Sequence, residues 1–388
     1  MATIAVPVFV RSATGRMTRR QHLERSLAAI RRDGGVPLPG GDRIMPEPFL
    51  LGRSEETLAP LARQLGFPYS TDVEAALRDP PPRAVYFEGS PTRLHYEYLA
   101  AAIDRGFHVY TEKPLALAVS EALDLVRRAA RGGVCGGVVQ DKRYLNGPVQ
   151  LGDLIRRGLI GQPCHLLLDF GYFVHPHDGT RPDWNWDRSA SGGIILDMVA
   201  HWDYLLKHLL GQPRRVSAHA RRHQPQRWRH GQPVPTTAED SVYATFEVDS
   251  ELADQPVVCT TVSSWCRWPR RRGLLEIRVQ GTAGAAEASL DRCYWISAAR
   301  TPAISWDPDS ASREDFLEGW EPYQQAEAPA NAFRHQWELF LRHVAAGMPN
   351  PASLLDGAQG VETAAASAAS AAAGGAPTPI RDVAELVG

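Results

Sequence analysis

Strand-like apolar runs alternate with helical patterns over the first 140 residues of this 388-residue chain. Runs such as Ile4–Val10, Ala84–Glu88 and Val134–Val139 have the length of strands that are buried on both faces. Helical patterns, including Thr18–Arg32 and Ser120–Arg131, lie between them. This alternation predicts an α/β domain with a doubly wound parallel sheet, whose ligands bind at the carboxyl ends of the strands.

Local signals set some of the boundaries within this first domain, which we expect to span residues 1–143. Ser54 followed by two glutamates predicts a helix that ends at Gly66, and Thr71–Glu74 has the pattern of a capping box. Phe49–Leu51 is typical of a short strand. The glycine- and proline-rich stretch Gly34–Glu47 is interpreted as an inserted loop.

The hydrophobic period changes after about residue 145, which predicts a second domain over residues 144–388. Partly alternating runs separated by turn residues indicate an α+β domain with a large, mostly antiparallel open sheet. Asn331–Ala346 is an amphipathic helical pattern, and the alanine-rich Ser353–Ala373 predicts a closely packed helix. These closing helices, 331–373, could pack back on the first domain. The predicted strands are His165–Phe173, Arg215–Arg221, Ser241–Val248, Val257–Ser264 and Leu274–Val279.

Charge and cysteine content exclude several classes of protein. The formal net charge is −2, with 42 basic and 44 acidic side chains, so there is no basic excess to bind nucleic acid or an anionic membrane. No run approaches the roughly 20 apolar residues that span a bilayer. The N-terminus lacks a signal-peptide pattern, and the five cysteines contain no CxxC pair. We therefore expect a cytoplasmic protein with reduced thiols.

The turn after the first strand is a candidate phosphate-binding loop. A dinucleotide-binding loop normally carries several glycines, whereas this turn has only one, with hydroxyl residues on either side. The amino end of the following helix still offers N–H groups to a phosphate, but an ordinary turn fits the same residues. The candidate cofactor-binding residues here are Ser12, Thr14, Gly15, Arg16 and Met17.

The residues after the second strand discriminate between the two nicotinamide cofactors. An acidic side chain at this position would accept hydrogen bonds from the ribose of NAD, but this chain has Arg53 and Ser54. A guanidinium group beside a hydroxyl suits a 2′-phosphate, which favours NADP over NAD. Alternatively, Arg53 is a solvated loop residue and Ser54 only a helix cap.

Lysine is rare in this chain, since only Lys113, Lys142 and Lys207 occur among the 42 basic residues. A lysine that is kept where arginine serves elsewhere can mark a need for a compact ammonium group. Lys113 follows the fifth predicted strand in the sequence Glu112-Lys113-Pro114. At that edge of the sheet it could hydrogen-bond a substrate hydroxyl and stabilise negative charge on the oxygen.

Asp197 and His201 are spaced i and i+4, so both should project from one helical face. An aspartate can orient an imidazole that accepts a proton during oxidation of an alcohol. A buried Asp–His pair that only braces the helix remains an alternative. A metal site is another alternative, in which His175, His177 or Asp178 would complete the ligand set.

An aromatic-rich segment precedes the Asp197 helix. Its members Tyr172, Trp184 and Asn185 are candidate substrate contacts, because aromatic faces and one amide suit the C–H faces and hydroxyls of a sugar. Packing in a core is the commoner fate of tryptophan.

These motifs resemble, in the same order, those of the Gfo/Idh/MocA oxidoreductases, the family of glucose–fructose oxidoreductase and inositol dehydrogenase. The resemblance rests on Ser90-Pro-Thr-Arg-Leu-His95, on Glu112-Lys113-Pro114 and on the Gly-Gly stretch that leads to Asp197, His201 and Asp203. Asn331–Pro379 is similar to the closing helices and strand of the family. The resemblance implies an N-terminal Rossmann domain and a C-terminal open sheet that mediates a homodimer or homotetramer.

The resemblance also implies roles for individual residues. Lys113, Asp197 and His201 would take the catalytic positions, with the substrate between the domains and Lys142 as a further substrate contact. Ser90, Pro91, His95, Glu112 and Lys113 would belong to the cofactor site. The chain departs from the family pattern in having lost two glycines of the first loop and in having Thr92 in place of the usual asparagine.

The resulting hypothesis is an NADP-preferring dehydrogenase or ketoreductase that acts on a secondary alcohol of a sugar, glycoside or cyclitol. One alternative keeps the nucleotide tightly bound and catalyses a redox-neutral epimerisation or elimination. Others are a sugar-binding homologue that has lost the cofactor, and a metal-dependent hydrolase that uses Asp197 and His201.

Overall fold

The computed structural model describes residues 2–177, 181–303, 307, 309 and 315–387. The chain divides into two compact units. The first comprises Met1–Asp141, Ala330–Ala365 and Arg381–Gly388, and the second comprises Lys142–Pro329 and Ala366–Ile380. The closing part of the chain is therefore shared between the units, and the helix α8 defined below belongs wholly to the first.

Strands and helices occur in the following order. The strands are β1 Thr3–Arg11, β2 Val36–Pro37, β3 Arg43–Leu51, β4 Tyr69–Ser70, β5 Val85–Glu88, β6 His108–Thr111, β7 Gly136–Val138, β8 Pro163–Gly171, β9 Gln212–Arg221, β10 Gln226–Arg229, β11 Gln232–Pro235, β12 Ser241–Asp249, β13 Val257–Ser264, β14 Leu275–Gly281, β15 Gly284–Ala288, β16 Cys293–Ser297, β17 Glu321–Pro322 and β18 Thr378–Pro379. The α-helices are α1 Ala28–Arg32, α2 Glu55–Leu65, α3 Val73–Ala76, α4 His95–Asp104, α5 Val119–Gly132, α6 Asn146–Arg156, α7 Ala200–Leu209, α8 Ala332–Ala346, α9 Leu354–Ala372 and α10 Val383–Val387. Two π-helical stretches, Thr18–Leu27 and Ile195–Val199, run directly into α1 and α7.

The sheet of the first unit has the order β2-β3-β1-β5-β6-β7, with β4 beside one end of β3. Its neighbours pair in parallel, except for the antiparallel pair of β2 and β3. One face packs on the first helix and on α8 through residues such as Val8, Leu23 and Trp337. The other face packs on α4 and α5 through residues such as Tyr86 and Leu99. Burial on both faces explains the unbroken apolar runs, and the predicted doubly wound sheet is confirmed.

The interpretation of Gly34–Glu47 as a loop is wrong, because it contains β2 and the first half of β3. Its prolines gave the misleading signal, since proline cannot donate to a strand ladder. β2 pairs with residues 43–44 of β3, and β4 pairs with residues 50–51 of β3. Pro46 and Pro48 lie between these two stretches. On the side of β3 that faces β2 and β4, a missing N–H at these positions therefore costs no hydrogen bond of a strand ladder.

The expected capping box over Thr71–Glu74 is also corrected. Asp72 is the N-cap of α3, and its side chain accepts a hydrogen bond from the N–H of Ala75 at 3.0 Å. The helix is only four residues long. By contrast, the predicted helix after Ser54 begins and ends as expected, with Gly66 in the left-handed conformation at its C-cap.

The large sheet of the second unit has the order β17-β16-β15-β14-β8-β13-β12-β9-β18. Its pairs are antiparallel apart from β8 with β13, so the mostly antiparallel sheet is confirmed. Helix α6 packs against β15 and β16, and α7 against β9. On the opposite face, side chains such as Tyr243, Val258 and Tyr294 are exposed. The hairpin of β10 and β11 and the strands β15 to β17 were not predicted.

No helix in the part of the chain that the structure describes is long and apolar enough to cross a membrane.

Candidate active site

The turn after β1 keeps the geometry of a glycine-rich loop although a serine has replaced a glycine. Ser12 has φ of +56°, a left-handed conformation that costs a non-glycine residue about 1 kcal/mol. Its carbonyl oxygen accepts a hydrogen bond from the N–H of Gly15 at 2.8 Å. A Cβ atom on Gly15 would lie 3.1 Å from that oxygen, which leaves little room for a side chain. The tight turn therefore persists without the lost glycines.

Both loops predicted to bind the nucleotide lie at the carboxyl edge of the parallel sheet. The N–H of Ala13 contacts the carbonyl oxygen of Leu51 at 3.4 Å, so the first turn runs beside the end of β3. Arg53 and Ser54 follow β3 and are exposed, and Ser54 is the N-cap of α2. A cation, a hydroxyl and a helix N-terminus at this edge fit a phosphate of the cofactor. The other candidates in the first turn are also exposed: Thr14, Gly15, Arg16 and Met17.

The loop after β5 is held by two buried side chains. Glu88 accepts hydrogen bonds from the backbone N–H and the hydroxyl of Ser90. The ring of His95 contacts the carbonyl oxygens of Ser90 and Pro114, each at 2.9 Å. His95, expected to bind cofactor, thus ties this loop to the Glu112-Lys113-Pro114 turn. Ser90 is half-buried and Pro91 is exposed at the same edge.

Glu112 and Lys113 follow β6, and the Lys113–Pro114 peptide bond is cis. One carboxylate oxygen of Glu112 contacts His22 Nε2 at 2.8 Å, and the other accepts from the N–H of Lys113 at 3.3 Å. Burial raises the pKa of Glu112, but the hydrogen bond from His22 and the charge of Lys113 outweigh burial and hold that pKa below its ordinary value. Glu112 is therefore an anion beside the half-buried Lys113 at neutral pH.

His201 is the second residue of α7 and lies about one turn after Asp197, which belongs to the π-helical stretch Ile195–Val199. Its buried ring contacts the hydroxyl of Tyr204 through Nδ1 at 2.6 Å. The ammonium of Lys142 is 3.1 Å from Nε2 and 3.3 Å from Nδ1. The backbone N–H of Lys142 also donates to the Tyr204 hydroxyl at 3.2 Å. These three residues, all in the second unit, form the His201 cluster.

Asp197 has a cationic partner, Arg181. Both terminal nitrogens of the guanidinium group donate to one carboxylate oxygen of Asp197, at 3.2 and 3.1 Å. The guanidinium carbon lies 4.2 Å from the ring centre of Trp265, a cation–π contact. Arg181 is thus held between a carboxylate and an indole.

The glycine pair before Asp197 brings two segments of backbone together. A Cβ atom on Gly192 would lie 2.2 Å from the carbonyl oxygen of Trp184, and the N–H of Gly193 donates to the carbonyl of Asn185 at 3.0 Å. Asn185 is buried, whereas Trp184 keeps 39% of its surface exposed. Tyr172 is half-buried, and its N–H donates to the carbonyl of Ser264 at 3.2 Å. Trp184 therefore offers a more accessible aromatic face than Tyr172.

The residues of the metal hypothesis are placed as follows. His175 is edge-on to Phe173, and His177 stacks loosely on Trp228. Asp178 lies outside the described residues. Within the described part of the chain, no group of three or more histidine, cysteine, aspartate or glutamate side chains is arranged to hold a metal ion.

Sequence reasoning did not identify four residues whose side chains make the contacts at or near the candidate site. They are Tyr204, Arg181, His22 and Trp337. Tyr204 could have been found, because it lies three residues after His201 on the same helical face. Arg181 could not have been found, because its separation of 16 residues from Asp197 matches no local motif. His22 and Trp337 contact each other across 315 residues of sequence, so no local pattern could have linked them.

Two family models match the chain. Residues 49–139 match the model described as "Oxidoreductase family, NAD-binding Rossmann fold". Residues 149–287 match the model described as "GFO/IDH/MocA C-terminal domain".

Curated relatives and solved structures agree with these models. The chain is 38% identical over 372 residues to a D-xylose dehydrogenase of Paenarthrobacter nicotinovorans, covering 93% of this chain and 94% of that protein. It is 25% identical over 301 residues to D-xylose 1-dehydrogenase (NADP(+)) 2 of Haloferax volcanii, covering 77% and 81%. A levoglucosan dehydrogenase in complex with NADH and L-sorbose has the same fold, with a TM-score of 0.78, 20% identity and coverage of 98% and 100%. The chain therefore belongs to the Gfo/Idh/MocA family of NAD(P)-dependent oxidoreductases.

Proposed function

We propose that the protein is an NADP-preferring dehydrogenase or reductase acting on a secondary alcohol or ketone of a sugar, glycoside or cyclitol. The observation that supports this most is the His201 cluster, in which a buried imidazole contacts a hydroxyl and an ammonium group. The names of the relatives add support, because the proteins with 38% and 25% identity are both called D-xylose dehydrogenases.

In this proposal His201 removes the proton of the substrate hydroxyl as general base. Before substrate binds, the ammonium of Lys142 lies 3.1 Å from Nε2 of this ring. Tyr204 contacts Nδ1 and fixes the orientation of the ring. The nicotinamide of the cofactor, when bound, accepts the hydride in oxidation and supplies it in reduction.

Lys113 is the proposed electrostatic catalyst. Its ammonium donates a hydrogen bond to the reacting oxygen of the substrate and stabilises the charge that develops there. Asp197, which accepts hydrogen bonds from Arg181, is proposed to orient His201. Lys142, Tyr172, Trp184 and Asn185 are proposed substrate contacts, and Trp184 has the exposed indole that a sugar ring would stack on.

NADP is favoured because of the residues that follow β3. An exposed guanidinium and the hydroxyl of an N-cap residue, Arg53 and Ser54, would hold the 2′-phosphate. The exposed turn from Thr14 to Met17 would hold the pyrophosphate, with Ser90, Pro91 and Glu112 on the neighbouring loops. One relative is named for NADP(+), whereas the levoglucosan dehydrogenase was solved with NADH, so the preference needs a direct test.

A homodimer or homotetramer formed through the open face of the large sheet is also proposed. Several apolar side chains on or beside that face are well exposed for a folded protein, including Tyr243, Val258, Leu274 and Tyr294. Light scattering coupled to size-exclusion chromatography would report the mass. Replacing Val258 with Glu on this face should shift the protein towards the monomer, and a monomeric parent protein would refute the proposal.

Titration of the purified protein with NADPH and NADH tests the cofactor assignment, after denatured protein has been checked for released nucleotide. Tighter binding of NADPH supports the proposal, and tighter binding of NADH refutes the preference. Nucleotide released from the protein would favour the redox-neutral alternative. Absence of both binding and bound nucleotide would favour the sugar-binding homologue.

Arg53→Ala sharpens this titration. Loss of a charge-assisted contact to the 2′-phosphate should weaken NADPH binding about 10- to 100-fold and leave NADH binding unchanged, by calorimetry. Arg63→Ala, in α2 but outside the proposed site, is the matched control. Equal losses for both nucleotides would contradict the role of Arg53.

Lys113→Ala tests the catalytic assignment. The variant should bind cofactor and unfold at the parent temperature but lose at least about 100-fold in kcat, measured from nicotinamide absorbance with a panel of sugars and cyclitols. Near-parent activity would rule out the role of Lys113.

A further inference from the structure

His22 is a fully buried histidine that the proposed mechanism does not use. It lies in the π-helical stretch Thr18–Leu27, a type of backbone often found at functional sites. Its ring packs between aromatic side chains, with centroid distances of 4.3 Å to Phe87 and 5.2 Å to Phe333. A polar ring in such an apolar cage is costly unless both of its nitrogens are hydrogen-bonded.

Both nitrogens of His22 have a partner of fixed polarity. The indole N–H of Trp337 donates to Nδ1 at 3.0 Å. Because an indole can only donate, Nδ1 must be the unprotonated nitrogen and the ring proton must lie on Nε2. Nε2 then donates to a carboxylate oxygen of Glu112 at 2.8 Å. The chain of donors therefore has one direction, from Trp337 through His22 to Glu112.

The relay ends on the backbone of Lys113. The second carboxylate oxygen of Glu112 accepts from the N–H of Lys113 at 3.3 Å. With one oxygen held by His22, the carboxylate cannot rotate away from this N–H without breaking the bond to the ring. Helix α8, which comes from the closing part of the chain, thus contacts the first helix and the turn after β6 through one set of hydrogen bonds.

We propose that Trp337 and His22 are positioning residues that act through Glu112 to fix the backbone from which the Lys113 ammonium projects. This inference rests on the proposed function, in which Lys113 stabilises charge on the substrate oxygen. Loss of the relay leaves Lys113 present and charged but less well placed, so kcat falls while the cofactor still binds. A displaced catalytic group is known to cost large factors in rate.

Two substitutions of His22 separate its proposed role in positioning Lys113 through Glu112 from a role in packing against the surrounding aromatic side chains. Glutamine places an amide N–H near the position of Nε2 and can still donate to Glu112. Asparagine is shorter, so it can accept from Trp337 but cannot reach Glu112. We expect His22→Gln to keep kcat within about threefold of the parent and His22→Asn to lose about tenfold, with similar unfolding temperatures for the two variants. Equal kcat losses in both would overturn the proposal.

Trp337→Phe tests the direction of the relay, because it removes the indole N–H and keeps an aromatic ring. Nitrogen-15 NMR of histidine-labelled apo protein reports which ring nitrogen carries the proton, and the His22 signals are identified by their absence in His22→Gln. We expect a proton on Nε2 and none on Nδ1 in the parent. In Trp337→Phe the ionised carboxylate of Glu112 still accepts from Nε2, so that proton should stay, whereas the Nδ1 signal should shift because its hydrogen bond from the indole is lost. A parent ring protonated on Nδ1, or an Nδ1 signal that is the same in parent and variant, would overturn the relay.

Lys113→Ala distinguishes failure of the proposed catalytic role of Lys113 from failure of the proposed relay through His22 and Glu112. Near-parent activity in Lys113→Ala refutes the proposed function of Lys113, whatever the His22 variants do. A large loss in Lys113→Ala together with parent kcat in His22→Asn refutes the relay alone. The NMR measurement tests the direction of the hydrogen bonds without reference to catalysis.

Discussion

Two buried histidines, His22 in the first unit and His201 in the second, differ in the partners that their rings contact. His22 lies between an indole N–H that can only donate and a carboxylate that is held ionised, so its tautomer is fixed. His201 contacts a tyrosine hydroxyl, which can donate or accept, and an ammonium group. The first environment fixes the position of the ring proton, whereas in the second the Tyr204 hydroxyl can match either a protonated or an unprotonated Nδ1.

This difference bears on how the proposed base, His201, can be distinguished from the proposed positioning residue, His22, when both are buried. Burial alone does not separate them, since His22 is fully buried and His201 is only 4% exposed. The polarity of the neighbouring groups does, because both partners of His22 have fixed polarity, whereas the Tyr204 hydroxyl beside His201 can either donate or accept. The predictions below test this distinction.

The largest effect is expected for His201→Asn. The amide cannot act as a general base, so kcat for alcohol oxidation should fall by about 100- to 10,000-fold at pH 8, with cofactor affinity unchanged. Stopped-flow measurement of nicotinamide reduction in a single turnover isolates the chemical step. His22→Gln, in which a buried imidazole is also lost, is the comparison. If both variants lose activity equally, the distinction between the two histidines fails.

A smaller effect is expected for Tyr204→Phe. Loss of the hydroxyl leaves the His201 ring with the Lys142 contact but without the 2.6 Å bond to Nδ1, and kcat should fall about tenfold, the value of one hydrogen bond. The pH profile of kcat/KM should also shift, which a packing defect would not cause. Tyr243→Phe, on the exposed face of β12, removes a tyrosine hydroxyl outside the proposed active site and should leave both quantities unchanged.

The smallest effect on activity is expected for a third histidine, His208, which shares α7 with His201. Burial, with Arg143 and Arg156 nearby, lowers the pKa of His208 to about 3. Because its pKa in the unfolded chain is about 6.5, the unfolded state binds the extra proton between these values. The free energy of unfolding should therefore decrease as the pH falls from about 6.5 towards 3.

His208→Gln should reduce this acid sensitivity while leaving kcat at pH 8 within about twofold of the parent. Urea unfolding of both proteins at pH 5 and pH 8 measures the difference. The stability loss between the two pH values should be smaller in the variant. An identical loss in parent and variant would show that other groups control acid unfolding.

Much of the fold could be predicted from the sequence, because the burial of each strand and helix determines the pattern of apolar and polar residues along it. The parallel sheet appeared as unbroken apolar runs and the large sheet as partial alternation. The errors occurred where local composition opposed tertiary context, as at Pro46 and Pro48, whose missing N–H groups fall on the side of β3 away from β1, between the short stretches that pair with β2 and β4. The strands β15 to β17 were not predicted, and β17 has only two residues, too few to carry a periodic signal.

The candidate site was predictable only in part. Lys113, Asp197, His201 and Lys142 were identified from rarity, spacing and family resemblance, and the contact between Lys142 and His201 is a structural finding. Ser12 shows the opposite case, since the loss of a glycine in the sequence suggested a damaged loop but the backbone keeps the left-handed turn. Backbone conformation at one position depends on the whole turn and not on residue type alone.

By itself, the sequence determined the fold class, the family and the residues able to carry the chemistry, since these depend on periodicity and on motifs within a few tens of residues. Only the tertiary structure decided how those residues are held. The relay from Trp337 through His22 to Glu112 joins positions 337, 22 and 112, and the partner of Asp197 is Arg181. Hydrogen bonds depend on distances of about 3 Å in space, which sequence separation does not encode.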